Sequence, residues 1–120
     1  MPASIELRGA SKAYGSSSAL RPTDLAVVPG KTTVLLGPSG CGKSTLLRLM
    51  IGLLRSDRGQ VLFDGQPLNA ANLLDARRRM GYVIQDGGLF PHLSARNNAA
   101  LMARYLGWPR QRIDQRLEGL

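Results

Sequence analysis

A glycine-rich stretch lies between a short apolar run and a helical pattern, and it limits the possible folds of this chain more than any other feature. Its sequence, Gly-Pro-Ser-Gly-Cys-Gly-Lys-Ser from Gly37 to Ser44, matches the pattern G-x-x-x-x-G-K-[ST]. Residues 32–36 before it are β-branched or apolar, which predicts a strand buried on both faces of a parallel sheet. From Lys43 onward, apolar residues recur every three or four positions, which predicts a helix. Strand, loop and helix in this order predict an α/β fold with a phosphate-binding turn.

The residue types of this loop suit the phosphates of a nucleotide. Glycines let the backbone wrap closely, so that successive N–H groups can point at anionic oxygens. The start of the next helix adds unpaired N–H groups and the positive end of the helix dipole. Lys43 is expected to reach the β- and γ-phosphates, and the Ser44 hydroxyl to hold Mg²⁺. The alternative, a glycine-rich turn beside an ordinary lysine, does not account for the flanking strand and helix.

The length and composition of the chain limit the number of domains and exclude several kinds of site. The chain has 120 residues, enough for one domain with a core but too few for two. A single cysteine, Cys41, excludes an internal disulfide and a cysteine-based zinc cluster, and a single histidine, His92, leaves little for another metal site. The first residues carry no basic cluster or apolar stretch, so no secretory signal is expected. No apolar stretch approaches the roughly 20 residues that a membrane span needs.

The net charge of +8 admits two interpretations. A basic surface could attract nucleic acid or anionic lipid. Alternatively, charge is distributed unevenly along a longer parent chain. We favour the second interpretation, with no nucleic-acid partner, because aromatic residues are not interleaved with the basic ones. The one basic cluster, Arg77-Arg78-Arg79, is predicted to lie on a solvated helix face.

Shorter patterns predict the remaining elements. Further strands are expected at residues 5–7, 25–28, 61–63 and 82–84, with a turn at Asp64-Gly65. Helices are expected at residues 72–79 and from Ser94, as N-cap, to Leu106 before Gly107. A last helix is predicted from Trp108, with Pro109 in its first turn and Ile113, Leu117 and Leu120 on one face. This helix is predicted to be still in progress at Leu120, so the sequence reads as interrupted.

Three features together resemble the ABC-type ATPases. The first is the form of the loop itself, Gly-Pro-Ser-Gly-Cys-Gly-Lys-Ser-Thr up to Thr45, which resembles the family's Walker A motif. The second is Tyr14, shortly after the first strand, which resembles the aromatic that stacks on adenine. The third is Gln85, after the predicted strand at 82–84, which resembles the Q-loop glutamine that reaches magnesium and the attacking water. The order and spacing of all three agree along the 120 residues.

The resemblance implies an architecture and a set of site residues. It implies a P-loop NTPase core with a mostly parallel sheet and an N-terminal antiparallel subdomain, followed by an incomplete helical signature subdomain. Residues 1–85 would form the ATP-binding core and residues 86–120 the start of the helical subdomain. Lys43 and Gln85 would be catalytic, and Ser44 and Gln85 would bind Mg²⁺. The implied ATP-binding residues are Tyr14, Gly37, Pro38, Ser39, Gly40, Cys41, Gly42, Lys43, Ser44 and Thr45.

Each singled-out residue also has a structural interpretation. Tyr14 alone could be an ordinary surface or core tyrosine, and Gln85 alone is uninformative. Cys41 is most simply a small residue tolerated in a tight loop rather than a redox centre. The segment 57–59 is most simply a connection.

The segment from Leu89 to Leu93 resembles the region where bacterial import ATPases meet their transmembrane permease subunits. Exposed Leu89 and Phe90 would form a docking patch there. His92 has no partner residues for a metal site. The wider stretch 83–93 is similar to subunits that import quaternary-ammonium osmoprotectants. The resemblance implies a location in the cytoplasm, peripheral on the inner face of the cell membrane.

Several motifs of the family do not occur in these 120 residues. There is no Leu-Ser-Gly-Gly-Gln signature, no strand ending in Asp-Glu after Gln85, and no switch histidine. In the family these parts supply the second face of an ATP sandwich between two ATPase domains, in a homodimer or a paired arrangement. We therefore expect residues 1–120 alone to bind ATP with negligible turnover. We also expect them to fold poorly, because the parallel sheet would lack its central strand.

Four functions remain open from sequence. The first is the energy-coupling ATPase of a transporter, in particular an importer. The second is a soluble ABC ATPase acting in translation or DNA repair. The third is a small P-loop kinase or GTPase, although the guanine-reading Asn-Lys-x-Asp of a GTPase is absent. The fourth is a non-catalytic ATP-binding remnant.

Overall fold

The computed structural model describes residues 2–120, which divide into two units, one ending at Tyr82 and the other beginning at Val83. The first unit contains β1 (Ile5–Tyr14), β2 (Ser17–Val27), α1 (Lys43–Met50), β3 (Arg58–Phe63), β4 (Gln66–Pro67) and α2 (Leu73–Arg78). The second contains α3 (Ala95–Tyr105) and α4 (Arg110–Glu118).

An antiparallel sheet of four strands, in the order β2-β1-β3-β4, forms the base of the first unit. β1 and β2 form a hairpin in which Tyr14 pairs with Ser17. Only two residues connect these strands, and the first, Gly15, has a φ of +60°, which glycine adopts without steric cost. On its other side β1 pairs with β3, with Leu7 opposite Val61. This sheet confirms the predicted N-terminal antiparallel subdomain, and its strands extend beyond the short apolar runs that predicted them.

The core of the first unit lies between this sheet and α1. Leu46, Leu49 and Met50 of α1 are buried in one cluster with Leu7 and Val61 of the sheet. Burying a leucine side chain contributes about 1.5–3 kcal/mol, so α1 is held mainly by this apolar face. The core therefore fixes the position of the helix that begins at the glycine loop.

Two predicted strands are absent from the structure. Neither residues 32–36 nor residues 82–84 belong to a strand, and no parallel ladder occurs among residues 2–120. Leu35 packs against the core, but Val34 is 69% exposed and Val83 is 93% exposed. A strand is defined by its ladder partner, and neither segment has one among the described residues. The α/β class is confirmed, whereas these two strand predictions are wrong for this structure.

The turn between β3 and β4 was predicted correctly. Asp64 and Gly65 both have positive φ values, +49° and +76°, and they join the two strands. The Asp64 carboxylate accepts a hydrogen bond from the Ser4 N–H at 2.8 Å and forms an ion pair with Arg79 at 2.7 Å. These contacts, the Ser4 hydrogen bond first, lower the pKa of Asp64. The turn thus connects to the start of β1 and to the end of α2.

The sequence predicted that the basic cluster Arg77-Arg78-Arg79 lies on a solvated helix face. The structure shows instead that the arginines of this cluster differ in their surroundings. Arg77 is partly buried and donates to two backbone carbonyls at the end of α1. Arg79 pairs with Asp64, and its guanidinium lies 4.9 Å from the centre of the Phe63 ring. Arg77 and Arg79 therefore both make contacts with other residues of the first unit.

Two helices of the second unit agree with the sequence in part. The Ser94 side chain accepts a hydrogen bond from the Asn97 N–H at 3.1 Å and caps α3 as predicted. α4 begins at Arg110, with Pro109 as its N-cap rather than in its first turn. Ile113 is buried as expected, but α4 ends at Glu118 and Leu120 is exposed. The prediction that Leu120 shares the buried face is therefore wrong.

Candidate functional site: a glycine loop at the start of α1

The glycine loop ends where α1 begins, at Lys43. Gly42 is the N-cap residue and has a φ of +103°, and Gly40 has a φ of +81°. These values lie in the region that side-chain-bearing residues rarely adopt, which explains the glycines at both positions. The first backbone N–H groups of a helix have no intrahelical acceptor, and Gly42 has no side chain to cap them. The start of α1 therefore presents free donors and the positive end of its dipole.

A second constraint acts on Gly42. A Cβ atom built at this residue would lie 2.9 Å from the Ala19 carbonyl oxygen and 3.2 Å from Leu20 Cδ1. Both neighbours belong to β2, so the loop is pressed against the β1–β2 hairpin. Glycine is needed at this position for its backbone torsion and also for the close approach of the strand.

The Lys43 ammonium group lies against the loop itself. It donates to the carbonyl oxygens of Gly37 and Pro38 at 2.6 and 2.8 Å, and it lies 3.3 Å from the Cys41 sulfur. The hydrogen bond from Lys43 is the main cause that lowers the pKa of the exposed Cys41 thiol. The side chain thus places a positive charge within the turn, close to the donors at the start of α1.

Tyr14 lies at the end of β1 and is 56% exposed. The strand opposite carries Ser17, its pairing partner, and two residues further on Ala19, which touches Gly42. Two residues span about 7 Å along a strand, so the hairpin brings the tyrosine to the neighbourhood of the loop. An exposed ring at this place is available for stacking on a base.

Asp57 fixes the end of β1 near Tyr14. Its carboxylate accepts a hydrogen bond from the Ala13 N–H at 2.8 Å and pairs with Lys12 at 3.2 Å. The Ala13 bond, followed by the Lys12 bond, lowers the pKa of Asp57. Lys12 Nζ in turn lies 5.4 Å from the centre of the Tyr14 ring. The segment 57–59 is therefore more than the simple connection expected from sequence.

The structure brings together most of the residues predicted for phosphate binding. Residues 37–45 form one continuous loop and helix start, with Ser44 exposed and Thr45 partly buried. An ammonium group, free N–H groups and a hydroxyl suit a triphosphate. The exposed Ser44 oxygen is a hard ligand of the kind Mg²⁺ prefers, and phosphate oxygens and several waters supply the remaining ligands in such sites. Among residues 2–120 no group of three or more His, Cys, Asp or Glu forms a separate metal site.

Gln85 lies in the second unit, exposed, in the bend that follows residues 82–84. The segment after it is held by a residue that the sequence analysis did not identify. The Asn98 side chain accepts from the Phe90 N–H at 2.7 Å and donates to the carbonyl oxygens of Phe90, Leu93 and Ser94 at 3.0–3.1 Å. Leu89 is 73% exposed on this fixed loop. No local sequence signal reveals the role of Asn98, since its partners lie up to eight residues away.

Together, a glycine loop that opens a helix and a sheet packed on that helix define a P-loop nucleotide-binding protein. The family profile for ABC transporters matches residues 20–120. The chain therefore belongs to the ABC transporter family, as its sequence features had indicated. No described helix has both the length and the apolar character that crossing a bilayer requires.

Named relatives add detail to this assignment. The chain is 40% identical over 116 residues to the glycine betaine uptake system ATP-binding protein YehX of Escherichia coli, covering 97% of this chain and 38% of that protein. It is 47% identical over 96 residues to the Fe(3+) ions import ATP-binding protein FbpC of Mesorhizobium japonicum, covering 78% and 27%. The chain thus spans well under half of the length of these curated relatives.

A solved structure supports the fold. The ATP-binding cassette MJ0796, solved as a dimer in a post-hydrolysis state bound to ADP and Pi, is similar to this chain with a TM-score of 0.75 and 31% identity. The match covers 84% of this chain and 47% of that one. The architecture described above is therefore that of an ATP-binding cassette.

Proposed function

We propose that this chain carries the ATP-binding part of an ATP-hydrolysing subunit that energises an ABC importer. The observation that supports the proposal most strongly is the loop from Gly37 to Thr45, with the Lys43 ammonium inside the turn and α1 beginning at its end. Membership of the ABC transporter family and the similarity to MJ0796, which was solved with ADP and Pi, support ATP as the ligand. Mg²⁺ would neutralise part of the triphosphate charge and is assigned to Ser44 and Gln85.

The residues of the site would have different roles in binding and in catalysis. Amides of residues 40–45 and the Lys43 ammonium would hold the phosphates, and Tyr14 would stack on adenine. Phosphoryl transfer depends chiefly on positioning and on electrostatic stabilisation of the transferring group. Lys43 would stabilise charge on the β- and γ-phosphates, and Gln85 would orient the attacking water. Residues 1–120 contain no signature motif and no Asp-Glu strand, so we propose that they bind ATP but turn it over negligibly alone.

If Gln85 orients the attacking water, its replacement should slow ATP hydrolysis while ATP binding changes little. In the protein at its full natural length, Gln85→Ala should lower kcat for ATP about tenfold or more, because the attacking water loses its orientation. The Kd for Mg-ATP should change less than about threefold, since the phosphate contacts and the Ser44 ligand of Mg²⁺ remain. Steady-state phosphate release and equilibrium titration measure the two quantities.

A neighbouring substitution controls for the Gln85 experiment. Asp86→Asn changes the next exposed residue and should leave kcat nearly unchanged. Equal rates in Gln85→Ala and the wild type would remove Gln85 from the mechanism. No ATP hydrolysis by the wild-type protein with its permease would contradict the proposed function itself.

We also propose that the loop from Leu89 to Leu93 docks on the transmembrane permease subunits. Leu89 and Phe90 are exposed apolar residues on a loop whose backbone is fixed by Asn98. The Phe90 and His92 rings meet edge to face, with centroids 5.7 Å apart, which further limits the loop. A rigid apolar patch binds a partner at lower entropic cost than a mobile one. This arrangement would place the protein at the inner face of the cell membrane, in the cytoplasm, paired with a second ATPase domain.

Asn98→Ala tests the docking proposal. Three hydrogen bonds to the loop and one to Ser94 would be lost, and the permease should then bind about tenfold more weakly because the patch is no longer preorganised. Co-purification with the permease and coupled transport report this loss, whereas the Kd for Mg-ATP should not change. Asn97→Ala, on the adjacent helical position, is the control. Unchanged assembly of Asn98→Ala would argue against docking through this loop.

The transported solute is proposed at the level of a class. YehX is named for glycine betaine uptake, and by its sequence the stretch 83–93 resembles subunits for quaternary-ammonium solutes. FbpC is named for import of Fe(3+) ions, so similarity alone does not single out one cargo. We propose a small polar or quaternary-ammonium solute. Uptake assays with labelled glycine betaine, choline and Fe³⁺ in cells lacking the protein distinguish these possibilities.

A further inference from the structure

The C-terminal end of α1 is tied to α2 by one arginine. Arg77 Nε donates to the Ile51 carbonyl oxygen at 3.1 Å, and Arg77 Nη2 donates to the Gly52 carbonyl oxygen at 2.5 Å. Ile51 is the C-cap residue of α1, so both acceptors lie at the end of that helix. A single planar guanidinium therefore holds two adjacent carbonyls through a fixed fork, whereas the donors of a lysine ammonium rotate and impose no such geometry.

Close packing at Gly52 reinforces the same connection. Gly52 has a φ of +69° and ends the helical path, and a Cβ built on it would lie 2.1 Å from Leu73 Cδ1 of α2. The Leu73 side chain therefore occupies the space that a side chain at residue 52 would need. We call the contact of Arg77 and Leu73 with Ile51 and Gly52 the α1–α2 clasp.

The clasp acts on the helix whose other end carries the phosphate loop. α1 has eight residues, so its two ends lie only about 12 Å apart. Over so short a distance a helix moves as a rigid body, and a shift at one end displaces the other. Arg77 also places a positive charge at the negative end of the α1 dipole, where it is favourable. The clasp thus limits the position of α1, in addition to the apolar core.

We infer that Arg77 is a positioning residue for nucleotide binding. By fixing the C-terminal end of α1, it holds the N–H groups at the N-terminal end in the place where they meet the phosphates. Arg77 does not touch the loop itself, so it acts only through α1. The inference rests on the proposed function, because it assigns a second determinant of affinity to the same phosphate site.

The test compares Mg-ATP affinity among variants of the protein at its full natural length. Arg77→Gln should raise the Kd about fivefold, because the start of α1 is less well fixed. Arg77→Lys keeps the charge but loses the rigid planar fork, so the Kd should rise about twofold. Titrations are made well below the melting temperature of each variant, so that only folded protein is compared.

Two control variants separate positioning from charge and from stability. Arg48→Gln removes an exposed arginine from the last turn of α1 and tests the effect of charge alone. Leu25→Ala removes a β2 side chain that packs against the core, and it lowers stability at a residue outside the clasp. Both should leave the Kd equal to that of the wild type within measurement error, because neither changes the clasp.

The outcomes distinguish the inference from the proposed function. A Kd increase for Arg77→Gln with partial recovery in Arg77→Lys supports positioning. An unchanged Kd in Arg77→Gln, or an equal increase in Arg48→Gln or Leu25→Ala, overturns the inference and leaves ATP binding intact. If Arg77→Gln does not fold, Arg77→Lys decides the matter by the same criterion. Failure of the wild-type protein to bind Mg-ATP overturns the proposed function first.

Discussion

Replacing Lys43 by alanine is expected to weaken Mg-ATP binding by a factor of about one hundred or more. A hydrogen bond to a charged group contributes about 1.5–3 kcal/mol, and the ammonium has three N–H donors that can bind the phosphates once they leave the Gly37 and Pro38 carbonyls. Stacking of Tyr14 on adenine contributes about 0.5–1.5 kcal/mol, so Tyr14→Ala should cost tenfold or less. Titration of both variants with a fluorescent ATP analogue measures the difference.

A second lysine provides a matched control. Lys31 is exposed at the turn after β2 and changes the net charge of the chain by the same amount when replaced by alanine. Because it lies outside the glycine loop, Lys31→Ala should leave the Kd nearly unchanged. Equal losses in Lys43→Ala and Tyr14→Ala would refute the view that phosphate contacts dominate affinity.

The second large effect is expected at Gly42. An alanine there would need a φ near +103°, and its Cβ would lie 2.9 Å from the Ala19 carbonyl oxygen. Backbone strain and overpacking together should destabilise the native state by about 3 kcal/mol. To avoid the Ala19 carbonyl, the loop would move away from β2, and its N–H groups would no longer point at one position. Nucleotide affinity should therefore fall by at least about tenfold. Thermal unfolding and ATP titration report the two losses.

Gly40 separates torsional strain from steric contact. Its φ is also positive, at +81°, but a Cβ built on it meets no atom within 4 Å. Gly40→Ala should therefore destabilise the protein by only about 1–2 kcal/mol. If Gly40→Ala and Gly42→Ala destabilise equally, the close approach of β2 does not constrain the loop.

The parts of the site that are local in sequence were predicted well. The loop from Gly37 to Ser44 and the start of α1 follow from adjacent residues whose torsional freedom and hydrogen bonding depend little on distant partners. Ser94 as an N-cap is predictable for the same reason, since its acceptor role involves Asn97 three residues on. The β3–β4 turn is likewise encoded in Asp64-Gly65.

Features that depend on distant partners were not predictable. Residues 32–36 have strand-forming side chains, but a strand exists only when another strand pairs with it. Arg77 and Asp57 bond to backbone groups that lie 25 or more residues away in sequence. An arginine cluster at residues 77–79 therefore looks like a solvated surface until the tertiary contacts are known. The role of Asn98 was missed because an asparagine inside a helix carries no pattern of its own.

The most direct test of the central claim is a crystal structure of the protein at its full natural length with Mg²⁺ and a non-hydrolysable ATP analogue. We predict that phosphate oxygens lie about 3 Å from the amides of residues 40–45 and from Lys43 Nζ. We also predict that Ser44 contacts the metal. The account would be contradicted if residues 37–45 formed a continuous strand or helix, or if the triphosphate bound elsewhere.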